Sequence, residues 1–155
     1  MKTGYSCSTE AAVALVAATP KSILGVLGNA AFGVDFIGFD CGFDGVTAAN
    51  VPVLLELCYA TFATNPPGTN STSVTVDTTY GRAVTPGMTA ARAWSAEPTV
   101  LTPIKEFLLT PNGGAIFYNF PRDRTPDSAV SNGFVLRGNA PNNVNVRATF
   151  NFERG

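Results

Sequence analysis

The chain has 155 residues, of which 45% are hydrophobic and 14% charged, against an average of about 25% charged. It carries a net charge of −1 and no histidine. That length fits one domain with enough core to need neither disulfide nor metal. The missing histidine removes Ser/His/Asp and Cys/His triads, HExxH zinc sites and the histidine metal sites of cupins, and the dispersed basic residues give no nucleic-acid footprint.

With so few charges, the surface must be covered by Thr, Asn, Ser, Gly and Ala, which suits a protein that buries further surface in an assembly. Three cysteines, Cys7, Cys41 and Cys58, are odd in number and widely spaced. They suggest no disulfide framework and no CxxC site, and a reducing compartment during synthesis. Cys41 and Cys58 fall in strand-like segments and read as buried small hydrophobes.

Residues Met1 to Thr9 are small and polar apart from Tyr5, so 1–9 reads as an N-terminal arm and 10–155 as one domain. The apolar run Ala11–Ala18 is too short to cross a bilayer, and Glu10 before it with Pro20 and Lys21 after it argue against a secretion signal. It reads as a first strand, followed by a second over Ser22–Leu27. Phe32–Cys41 is a third, with Phe32, Val34 and Phe36 on one face and Asp35, Ile37 and Phe39 on the other. Phe43–Asn50 reads as a turn. In Val51–Phe62, Val53, Leu55, Leu57 and Tyr59 face one way and Leu54, Glu56, Cys58 and Ala60 the other. Glu56 needs a partner, and Arg137 or Arg147 on later strands can supply it.

Ala63–Thr72 is a Pro- and Gly-rich loop, and Ser73–Thr79 a further β-branched run. The stretch from Tyr80 to the lone Trp94 has no clear pattern. After it, Pro103 splits Thr99–Leu109, so the firm strand is Ile104–Leu109. A turn at Pro111, Asn112 and Gly113 predicts a hairpin to Ala115–Phe120. Phe134–Arg137 precedes the last strand, where Val144, Val146, Ala148, Phe150 and Phe152 alternate with Asn143, Asn145, Arg147, Thr149, Asn151 and Glu153. Five apolar side chains on one face need a facing sheet. The expected fold is an all-β antiparallel sandwich, a jelly roll of eight to nine strands, with an immunoglobulin-like sandwich of about seven as the alternative.

Chemistry-bearing patterns are sparse. Asp123 with Asp127, or Asp40 with Asp44, could be set as paired carboxylates, but Asp44-Gly45 is a turn signal and Asp123 lies between two arginines in a solvated loop. No D-x-D-x-D-G calcium loop and no phosphate-binding glycine loop occurs; Gly25 and Gly28 are better explained by turns or close strand packing. The Asn70-Ser71-Thr72 sequon needs a secretory route that nothing else supports. No cofactor is expected, and no enzyme activity.

Four phrases, "FDGVTAANVPVLLELCYATFATNPPGTNSTSV", "TAARAWSAEPTVL", "LTPNGGAIFYNFPRD" and "APNNVNVRATFNFE", cover more than half the chain. In them the chain resembles a family of small jelly-roll proteins of tailed bacteriophages, particularly those of actinobacteria. The resemblance implies a virion structural protein, most plausibly a homotrimeric decoration or cement protein on the exterior of the head. It would bind and stabilise the shell of major capsid protein after synthesis in the host bacterial cytoplasm. It implies no nucleic-acid or membrane partner, and some members could sit on the tail.

Within that reading, the expected trimer surface is Phe117, Tyr118 and Phe120 with Phe134 and Leu136, unless these fill the monomer's own core. Tyr5 and Cys7 on the arm are the expected capsid contacts. The alternative function is a tail-associated or receptor-binding module for host-surface carbohydrate, for which Trp94 with Glu97, or Tyr118 with Asn119, are the candidates. Burial of Trp94 would favour the structural reading.

Overall fold

The computed structural model describes residues 3–44 and 50–155. The described residues form twelve strands: β1 Gly4–Ser8, β2 Val13–Leu15, β3 Lys21–Leu27, β4 Val34–Asp44, β5 Val53–Thr61, β6 Thr72–Val74, β7 Asp77–Tyr80, β8 Thr89–Arg92, β9 Val100–Leu109, β10 Ile116–Asn119, β11 Asn132–Asn139 and β12 Val144–Arg154. They pair into two six-stranded antiparallel sheets. The first runs β10-β4-β12-β1-β7 with β2 also on β12; the second runs β6-β8-β3-β11-β5-β9. The expected all-β sandwich is therefore present, with more strands than the eight or nine expected. The extra ones are short pieces that composition does not announce. The turn expected over Phe43–Asn50 lies mostly at 45–49, outside the described residues, while Phe43 and Asp44 still belong to β4.

The long alternating strand β12 is the centre of its sheet, paired along its length with β4 and over its last residues with β1. Its apolar residues Val146, Ala148, Phe150 and Phe152 enter the sandwich. Phe36 meets Phe150 at 4.9 Å edge-on and Phe134 of the facing sheet at 5.0 Å, the offset geometries aromatic pairs prefer. The faces of β5 also fall as expected, with Val53, Leu55 and Leu57 inward and Glu56 outward against Arg137.

Four expectations need correction. The segment read as an arm is β1, held between β12 and β7, because Tyr5 and Cys7 alternate with Ser6 and Ser8 and bury against the core. Phe36 and Phe39 do not face opposite ways. A register shift opposite Asn151 and Phe152 absorbs one residue of β4 and turns both rings inward. Ala11–Ala18 supplies only the three-residue β2. Finally, β9 and β10 are not a hairpin. The 3-10 turn Pro111–Gly113 and Gly114 at φ 95° carry the chain across to the other sheet, where β10 pairs with β4 while β9 pairs with β5.

A second, smaller apolar cluster lies on the outer face of the second sheet. Ala60, Phe62, Ala91, Trp94 and Val135 form it, with Leu27 and Leu101 at its border. Gly25 of β3 leaves the space for Trp94, whose ring atom Cη2 would lie 2.7 Å from a Cβ there. The 63–71 loop covers the cluster and is tied down by Trp94 Nε1 donating to the Asn65 carbonyl at 2.9 Å and by Asn65 Nδ2 donating to the Glu97 carbonyl at 2.8 Å.

Candidate assembly surface

The two sheets end side by side at β9 and β10, each the outermost strand of its own sheet. The gap between these edges is filled from within. Phe107 of β9 stacks edge-on against Phe39 at 5.3 Å, and Tyr118 of β10 lies 5.6 Å from Phe107 and 4.9 Å from Phe120. Lys105 places its ammonium 4.5 Å from the Tyr118 ring centre and 5.8 Å from that of Phe107. A cation over aromatic faces covers the apolar seam while keeping its charge near water.

Side chains alternate along each edge strand, so the residues next to these inward rings point out. Leu108, 72% exposed, leaves the outer face of the second sheet beside Leu54; Phe117, 75% exposed, leaves the outer face of the first. They are the two most exposed of the large hydrophobic residues among the described residues. The β9 edge is not an unguarded template. A register shift near Pro103 interrupts its ladder, and proline offers no N–H to an incoming strand.

The five residues expected at a trimer surface are not together on one. Phe134 and Leu136 are fully buried, because β11 lies between β3 and β5 and these two side chains point into the sandwich. Tyr118 and Phe120 are half-buried and turned toward the core. Phe117 alone of the set is exposed. Tyr5 and Cys7 are each 2% exposed, so neither offers the contact expected of an arm. Trp94 is equally buried, and Glu97 accepts hydrogen bonds from the backbone N–H and hydroxyl of Ser22, so both side chains are engaged by the fold around the loop cover. Tyr118 and Asn119 face opposite ways on β10. The exposed ring beside Asn119 is Phe117, which sequence reasoning assigned to assembly.

The outer faces of the sheets differ. The second carries the Trp94 cluster and Leu54 with Leu108, interrupted by the Arg137–Glu56 ion pair at 3.2 Å. The first carries Ser6, Ser8, Asp40, Arg147, Thr149 and Asn151. Its Asp40 and Asp44 lie four residues apart on one strand, roughly 13 Å, too far for a carboxylate pair to share a glycosidic bond. Asp44 is engaged by Arg147 Nε at 2.7 Å. Burial pushes the thiols of Cys41 and Cys58 up to about 12, and that of Cys7 further still. Among the described residues there is no group of three or more His, Cys, Asp or Glu placed to hold a metal ion. No protein-family model matches the chain, and no curated protein or solved structure matches it.

Proposed function

We propose that the protein is a structural component of a tailed-phage virion: a jelly-roll head decoration protein that binds the major capsid protein on the shell exterior as a homotrimer. The reading is supported by the four phrases that resemble such phage proteins, by the low charge of the chain, and by the unlike outer faces of its two sheets.

The observation that carries it is Leu108. A leucine 72% exposed at the end of a ten-residue edge strand, with Leu54 opposite it, marks an apolar flank suited to burial against another chain. A three-fold ring joins unlike surfaces of successive subunits. An edge with one apolar flank and a plugged seam can supply one of them. Cementing then acts by binding alone, since each subunit adds contacts that must break before the shell opens.

The solution mass tests the assembly step. Light scattering should give three times the chain mass for the protein and the mass of one chain for Leu108→Glu. The monomeric variant should keep the native fold, because the side chain is outside the core, while losing the stability that assembly adds. A single-chain mass for the unsubstituted protein contradicts the trimer.

A further inference from the structure

One row of side chains crosses the outer face of the first sheet in register. Phe117 lies opposite Asp40, Asp40 opposite Thr149, and Thr149 opposite Ser8. Residues paired across antiparallel ladders share a face, and three strand spacings make the row about 14 Å long. In the neighbouring row Arg147 lies opposite Gly42, and Ala115 stands beside that glycine. With no side chain on Gly42 and only a methyl on Ala115, the surface sinks into a groove of about 270 Å³ walled by Asp40, Arg147, Thr149 and Ser8.

Two side chains of the first row stand out, Asp40 in the groove wall and its register partner Phe117 beside the groove. Phe117 holds a phenyl ring in water although its neighbours in the row are polar. Asp40 is half-buried, and among the described residues no hydrogen bond or ion pair engages its carboxylate. That partial burial raises its pKa.

The charges around the groove select the ligand. Arg147 is held by Asp44, and Glu10 at the rim stands 3.8 Å from Arg92. With each arginine already paired, an anion would meet the carboxylate of Asp40, so the groove disfavours an anion and offers an acceptor to hydroxyl donors. A ring with an apolar C–H face and several hydroxyls matches the rest. The face stacks on Phe117, adjacent hydroxyls donate to Asp40, and the Thr149 and Ser8 hydroxyls donate or accept.

We propose that this groove, together with the Phe117 ring beside it, binds a neutral carbohydrate, with one pyranose ring stacked on Phe117 and its hydroxyls on Asp40 and Thr149. The proposal goes beyond assembly and does not depend on it, because Leu108 lies on the outer face of the other sheet.

Saturation-transfer NMR and calorimetric titration with maltotriose, cellotriose, chitotriose and xylotriose test it, with glycerol as a polyol that cannot stack. At least one trisaccharide should receive saturation at its ring C–H protons while glycerol does not. Phe117→Ala should weaken it by up to about tenfold, the worth of one aromatic stack, and Asp40→Ala by about tenfold or more, the worth of a hydrogen bond to a charged group. Leu108→Glu should leave binding unchanged. The mass of Phe117→Ala is measured alongside and should equal that of the unsubstituted protein. The proposal is overturned if no trisaccharide binds, if both groove variants bind as well as the original, or if Phe117→Ala changes the mass, which would make Phe117 a subunit contact.

Discussion

Arg137 stands directly opposite Glu56 across the β11–β5 ladder, and its Nη2 reaches both carboxylate oxygens, at 3.2 and 3.3 Å. On the other side of Glu56 its register partner is a second carboxylate, Glu106 of β9. Arg137 is thus the counter-charge in a row that would otherwise pair like charges, and Glu56 is only 8% exposed. Arg137→Met should cost about 3 kcal/mol in urea unfolding, because it leaves a mostly buried carboxylate facing another. Glu56→Gln should cost less. A double-mutant cycle in which the two losses simply add would show that the pair is not coupled.

Trp94 should behave as a structural residue. Trp94→Phe loses the hydrogen bond to the Asn65 carbonyl and should destabilise by about 1 kcal/mol, whereas Trp94→Ala opens a cavity under the loop and should cost about 3–5 kcal/mol. Native fluorescence should be blue-shifted and poorly quenched by iodide. Ready quenching would place the indole in solvent, against the packing described.

Thiol chemistry gives a second check on the core. Cys7, Cys41 and Cys58 are all buried, and desolvation, the largest influence on each, holds their pKa values far above neutral pH. An aromatic disulfide reagent should label none of them in the folded protein at pH 7 and all three in denaturant. Labelling of Cys7 alone in the native state would mean that β1 detaches.

The carboxyl of Asp40 makes stability depend on pH with a defined sign. Its folded-state pKa is raised above 3.8 by burial, so folding favours the protonated form. The contribution is favourable below the unfolded pKa and is lost as pH rises through the folded one. Asp40→Asn should therefore raise the melting temperature at pH 7 relative to the unsubstituted protein, and this advantage should disappear near pH 3. A variant less stable at pH 7 would mean that the carboxylate is engaged by the fold.

The parts of the fold that were legible in the sequence are those where one face is apolar without a break. Strand β12 and the two faces of β5 could be read from alternation, and the Arg137–Glu56 pair followed from the need to neutralise a carboxylate on a buried strand. Strand β1 has only Tyr5 and Cys7 to show its period, too few to distinguish it from a polar tail. Phe36 and Phe39 were misassigned because a register shift breaks the two-residue period. The path from β9 to β10 reads locally as a hairpin turn, and only the pairing of each strand with a distant partner sends it across the sandwich. The groove was hidden for a related reason. Phe117, Asp40, Thr149 and Ser8 come from four strands, and nothing short of the register brings them together.

The head-decoration reading is tested most directly by mixing the purified protein with empty phage heads of known capsid composition, sedimenting them, and measuring the ratio of the two chains in the pellet. The account predicts saturable co-sedimentation at a fixed ratio to capsid protein, and heads that release their contents at a higher temperature once coated. A protein that stays in the supernatant at every concentration, leaving the heads no more stable than before, contradicts it.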